Sequence, residues 1–199
     1  MTPRARLVTE NELEAAADAL AAAFENYAWT RHVIPEDDYA WRLRELQLVY
    51  LRHAHVHGFV GITGPADGVI AVLPSDAPDP APGVVDRIVQ LHGDRLGRLG
   101  DATSEPGEPD SWRIETVGVM PARQGRGLAS DLIRFALAEG ARRGASRFAL
   151  DTSDERNVRL YERHGFSVVS RTELPETPPV WSMSTRVGRA AAMNERTRA

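Results

Sequence analysis

Apolar residues recur along the N-terminal part of this chain at three- and four-residue steps. Leu13, Ala16, Ala17, Leu20 and Phe24 share one face of a helix running from Thr9 to about Glu25. Thr9, with Glu12 three residues on, has the spacing of a capping box, and Ala5 to Thr9 before it reads as a short strand. A second helix follows over Glu36 to about His53, with Leu43, Leu46, Val49 and Tyr50 at helical spacing. Between the two, Asn26 to Pro35 breaks the pattern and reads as an inter-helix connection.

From Phe59 the period shortens. Phe59 to Thr63 and Gly68 to Leu73 predict a hairpin turned by Gly64-Pro65-Ala66-Asp67. Trp112 to Val119 is the next strand, followed by a helix over Gly127 to about Arg143 with Leu128, Leu132, Ile133, Ala136 and Leu137 inward. Arg147 to Asp151 then returns as a buried strand, and a strand, helix, strand order makes a right-handed parallel crossover. Thr152-Ser153-Asp154 can cap a helix through Arg163, stopped by Gly165, and Phe166 to Leu174 and Val180 to Arg186 close the fold as strands. The pattern is that of one α/β domain over residues 1–187, with 188–199 as a frayed tail.

Pro74 to Asp110 interrupts this order. It holds six of the thirteen prolines, and eight acids against three arginines, around a helical stretch from Val84 to Leu99. It reads as an insertion, a helix on two flexible Pro-rich arms, and in the first instance a solvated excursion. The alternative is a lid whose acidity draws in a cationic amine.

Composition narrows the chemistry. With 199 residues and no cysteine, the chain has neither disulfides nor a thiolate nucleophile. All 24 Lys+Arg residues are arginine, which removes lysine chemistry, and a net charge of -4 argues against nucleic acid as the main partner. No run approaches a membrane span and no signal peptide is evident, so a cytoplasmic protein is expected. His53, His55 and His57 alternate, which on a strand would put all three on one face as a metal cluster. No carboxylate or Cys accompanies them and Gly58 starts the next strand; they read as a helix end and a loop, and no metal is expected.

The chemistry-bearing stretch is Val117 to Ala129, a strand end, a turn and a helix N-terminus. Free backbone N–H groups and the helix dipole there suit a phosphate, and Gly125 and Gly127 present no Cβ to it. A dinucleotide fingerprint fails because Ser130 stands at the third glycine position, and a Walker loop fails for want of lysine. What fits is Gln124-x-x-Gly127-x-Ala129, followed by Asn157-x-x-x-Tyr161-x-x-x-Gly165-Phe166. With these residues the chain resembles the GCN5-related N-acetyltransferase family. Further stretches, Ala21 to Phe24 with Tyr27 and Thr30 to His32, Thr116 to Val119, Leu150 to Ser153, and Trp181 with Met183, are similar to the puromycin N-acetyltransferases within it. Two positions depart: Ala129 replaces a commoner glycine, and Asp151 a glutamate.

The resemblance implies a mixed, mostly antiparallel sheet flanked by helices and splayed between its fourth and fifth strands. It implies an acetyl-CoA-dependent N-acetyltransferase acting on a small amine, such as an aminonucleoside antibiotic, as a monomer or homodimer without nucleic acid or membrane partners. Val117, Gly118, Val119, Arg123, Gln124, Gly125, Arg126, Gly127, Leu128, Ala129, Ser130 and Asn157 would hold the cofactor, with Tyr161 serving both as a cofactor contact and as the acid toward the leaving sulfur. Glu115 and Asp151 are the candidate bases, directly or through water, unless the amine needs none. Tyr27, Trp29, Arg31 and His32 are expected to wall the amine pocket. The rivals are a protein or peptide acetyltransferase with an open groove, and a non-catalytic acyl-CoA-binding module.

Overall fold

The computed structural model describes residues 5–101 and 111–187. The expected tail over 188–199 and the far arm of the insertion, from 102 to 110, lie outside the described residues. Seven strands form one sheet: β1 (Ala5–Leu7), β2 (Phe59–Thr63), β3 (Gly68–Pro74), β4 (Ser111–Val119), β5 (Arg147–Thr152), β6 (Ser167–Thr172) and β7 (Val180–Arg186). Their order is β1-β2-β3-β4-β5-β7-β6, antiparallel throughout except for the central β4–β5 pair. The helices are α1 (Leu13–Phe24), α2 (Ala28–Val33), α3 (Tyr39–His57), α4 (Pro82–His92), α5 (Leu128–Arg142) and α6 (Glu155–Glu162).

Strand alternation splits the core into two layers. Val60, Ile62, Val69 and Ala71 meet α1 and α3 on one face. Phe59, Ile70 and Val72 meet Leu132, Ile133 and Ala136 of α5 on the other. Both faces are therefore apolar, and β2 is buried along its whole length. The Thr9 capping box forms as the spacing predicts: the Glu12 carboxylate accepts from the Thr9 backbone N–H at 2.9 Å and from its hydroxyl at 2.7 Å. Among the described residues no helix is long and apolar enough to cross a membrane.

Three expectations need correction. The second helix runs on to His57, so His53 and His57 lie one turn apart with their rings 4.6 Å from each other, and the alternating trio is helical. No cluster of three metal-ligating side chains occurs among the described residues. The Asn26–Pro35 connection contains a short helix, α2. The described part of the insertion is no solvated excursion: Leu91 and His92 of α4 are buried, and Leu91 packs with Val33, Leu43 and Leu46. Arginine hydrogen bonds to backbone carbonyls fasten it, Arg42 to Gln90 and Leu91, Arg95 to Arg31 and Ile34, Arg98 to His32.

Candidate active site

Strands β4 and β5 pair only at Ser111↔Arg147, Trp112↔Phe148 and Arg113↔Ala149. Beyond Arg113 they diverge: Ile114 and Thr116 to Val119 pair with β3 alone, with Glu115 at a bulge between them, and Leu150 to Thr152 pair with β7 alone. Divergence leaves strand edges whose N–H and C=O groups can take an added strand-like ligand. It also opens a cavity of about 380 Å³ between the sheet and α2, α3 and α4. That volume is in the range of small-molecule sites.

Glu115, Asp151, Arg113, Tyr161 and Asn157 all line this cavity. Asp151 takes the Arg113 guanidinium in a short charge-assisted hydrogen bond, whereas Glu115 lies 3.8 Å from the Arg113 Nε. Burial raises the Glu115 pKa above the ordinary carboxylate value; Arg113 opposes the shift and Asp151 reinforces it. Arg113 therefore lies closer to Asp151 than to Glu115. Tyr161, 5% exposed, has its pKa raised by burial and then by Tyr27, so its hydroxyl keeps its proton at neutral pH. Asn157 stands one helical turn before Tyr161 and donates to the Thr152 hydroxyl at 3.3 Å.

Of the four expected wall residues, Tyr27 and Trp29 line the cavity and Arg31 and His32 do not. The Arg31 guanidinium stacks 3.7 Å from the centre of the Tyr39 ring and donates to the Glu25 carbonyl, while the His32 ring packs on Trp29. Both belong to the α2 scaffold because that helix turn points them away from the cavity. Tyr27 also spans the cleft. Its hydroxyl accepts from the Ser153 N–H at 2.6 Å and shares a hydrogen bond with the Thr152 hydroxyl at 3.1 Å. Thr116, in one of the stretches that carry the resemblance, also lines the cavity, and sequence reasoning missed Gln47, Tyr50 and His92, which line it too. Gln47 was legible as a polar residue within the apolar stripe of its helix; the others had no local signal.

The turn after β4 carries the other expected residues. Gly125 and Gly127 have φ of 74° and 78°, in the left-handed region, and a Cβ on either would meet nothing within 4 Å. The backbone there faces open space, and Gly127 caps α5 without a side-chain hydrogen bond. First-turn N–H groups of α5, at Leu128, Ala129 and Ser130, are therefore available to an anion. Gln124 points inward, its Nε2 donating to the Val119 carbonyl at 3.1 Å, and Arg123 pairs with Asp67 at 3.1 Å; both pin the turn to the sheet. Arg126 remains on the exposed side of the turn, and Val117 lines the cavity. Gly118 has a different local reason: a Cβ there would lie 2.8 Å from Leu20 and 3.0 Å from Ala23, so the glycine lets α1 pack on β4.

A family profile described as Acetyltransferase (GNAT) family matches residues 14–166. Among solved structures, the chain is similar to histone acetyltransferase HPA2 and related acetyltransferase from Corynebacterium glutamicum. The identity is 23% over 94% of this chain and 98% of that one, with a TM-score of 0.74. A ribosomal-protein-alanine N-acetyltransferase from Brucella melitensis matches at 15% identity over 92% of this chain and 99% of its own, with a TM-score of 0.60. A GNAT family acetyltransferase from Brucella melitensis, solved in complex with acetyl-CoA, matches at 19% identity over 92% and 87%, with a TM-score of 0.55. These likenesses confirm the fold, including the parallel central pair.

Proposed function

The chain belongs to the acetyltransferase (GNAT) family, and on that premise we propose that it acetylates the primary amine of a small molecule, with acetyl-CoA as cosubstrate and by direct transfer. An antibiotic amine of the aminonucleoside type is the acceptor we favour, on the sequence resemblance to the puromycin N-acetyltransferases. One observation carries the reading: a single cavity is lined both by a phenol that keeps its proton, Tyr161, and by a carboxyl whose pKa burial has raised, Glu115. A transfer to an amine needs both, an acid for the leaving group and a base for the attacking nitrogen.

The residues present fit acetyl-CoA. Two glycines with open space above them and an uncapped helix N-terminus make an anion cradle, and the diverging strand edges suit an amide-bearing arm. Bound acetyl-CoA would supply an activated acetyl thioester. For this chain's own residues, Glu115 would take the proton of an incoming ammonium and Tyr161 would donate one toward the sulfur. Arg113 holds Asp151 in place, and the carboxylates lining the cavity suit a cationic amine. The enclosing wall of α2, α3 and α4 favours a small molecule over the open groove that a protein acceptor requires.

The test is CoA release across an amine panel that includes puromycin. Turnover of one or more amines is expected, with Tyr161→Phe lowering kcat about 10²- to 10⁴-fold at unchanged acetyl-CoA affinity. Release at hydrolysis level with every amine would sink the proposal. Gly127→Glu places an anion in the cradle and is expected to abolish acetyl-CoA binding; calorimetry showing wild-type affinity would refute the cradle assignment.

A further inference from the structure

Helix α3 turns two polar side chains, Gln47 and Tyr50, into the cavity one turn apart. Gln47 is 9% exposed, and its carboxamide makes no hydrogen bond to any described residue. Buried polar side chains nearly always find partners, and a carboxamide that opens onto a cavity finds its own in whatever enters. Tyr50 lines the same cavity, and burial, with the charge of Glu115 adding to it, pushes its pKa up to about 12.

His92 completes the group. Its Nδ1 lies 2.8 Å from the Val33 carbonyl, which can only accept, so Nδ1 carries the proton and Nε2 presents a lone pair. That lone pair lies 3.5 Å from the Tyr50 hydroxyl, too long to satisfy either group well. Burial also lowers the His92 pKa and keeps the ring neutral. Here, then, are three neutral groups, two that can both donate and accept and a ring nitrogen that accepts, among apolar neighbours such as Leu43, Leu46 and Leu99. Among the described residues, the ionic groups lining the cavity are Arg113, Glu115 and Asp151.

We propose that Gln47, Tyr50 and His92 read a neutral hydrogen-bonding group, a hydroxyl or carboxamide, on the acceptor at a distance from its amine. The substrate class is then amines with an apolar body and such a group. This rests on the acetyl-transfer reading above.

The probes are phenethylamine, tyramine and 4-(2-aminoethyl)benzamide, which share one body, with spermidine as a polyamine. Wild-type kcat/KM should favour the hydroxyl or carboxamide compound over phenethylamine by about tenfold or more. Gln47→Met and Tyr50→Phe should each shrink that ratio, and Gln47→Glu, by adding a carboxylate, should shift preference toward spermidine. Circular dichroism and acetyl-CoA affinity at wild-type values show that a variant has folded, and Tyr50→Phe decides if Gln47→Met has not. A wild-type enzyme indifferent to the distal group, as when Gln47 holds only water, overturns the proposal, as does a preference that survives both substitutions. Absence of CoA release with every amine overturns the acetylation reading instead. Calorimetry on the same four amines then decides this one, equal affinities refuting it and a Gln47-dependent preference supporting it.

Discussion

Arg113 sits between two carboxylates and does not treat them alike. It forms a short hydrogen bond with Asp151 and stands 3.8 Å from Glu115. Burial raises the Glu115 pKa, and Asp151 adds to the rise as a like charge. The kcat/KM profile of the enzyme should therefore fall as pH drops through a value above the ordinary carboxylate range, as Glu115 takes up its proton. Asp151→Asn removes the like charge and frees the guanidinium for Glu115. Both effects lower the Glu115 pKa, so the acid limb should move to lower pH. A limb that stays put would show that another group titrates there. The stability linkage has the opposite sense. Between the unfolded and folded pKa values of Glu115 the native state binds more protons, so this residue's contribution to stability declines as pH rises through that window.

At the scale of elements, α4 is where sequence pattern and structure part. Strands from Phe59 to Val119 could be placed within a residue or two, because alternation and turn glycines are local signals. The docking of α4 depends on Leu91 and His92 meeting α2 and α3 more than thirty residues away, and Pro-rich flanks of acidic composition carry no trace of that contact. The same limit left the choice between Glu115 and Asp151 open, since the arginine that tells them apart lies 38 residues from Asp151. It also hid Tyr50, which reads as one more apolar-stripe residue. By contrast, the Tyr161 helix was legible through its Asp154 cap, whose carboxylate accepts from the Arg156 N–H at 2.8 Å. If α4 is part of the cavity wall, Leu91→Ala should cost about 2–5 kcal/mol in urea unfolding, as for other fully buried leucines. A cost within about 0.5 kcal/mol, the range of surface substitutions, would mean that α4 is the detachable excursion its composition suggests.

The whole molecule is two half-sheets, β1-β2-β3-β4 and β5-β7-β6, joined by three residue pairs at one end of the central strands. At the diverging end the sheet itself supplies no bridge. Tyr27 supplies one, reaching from the α1–α2 connection to Thr152 and Ser153, 125 and 126 residues further along the chain. Thr152 is in turn held by Asn157 on α6, so the tyrosine ties the first half of the chain to the helix that carries Tyr161. Tyr27→Phe keeps the ring against Phe24 but leaves the Ser153 N–H without its partner, which should cost about 1–3 kcal/mol. The loss should be uneven. Hydrogen exchange should quicken at Leu150 to Ser153 and along α6 while the β2 and β3 amides keep their protection, because their ladder is complete without the clamp. Amine KM should rise more than kcat falls, since the wall of the cavity loosens while Glu115 is untouched and Tyr161 keeps its hydroxyl. Uniform acceleration of exchange across both half-sheets would instead make Tyr27 an ordinary contributor to global stability, and the cleft a rigid consequence of the β4–β5 geometry alone.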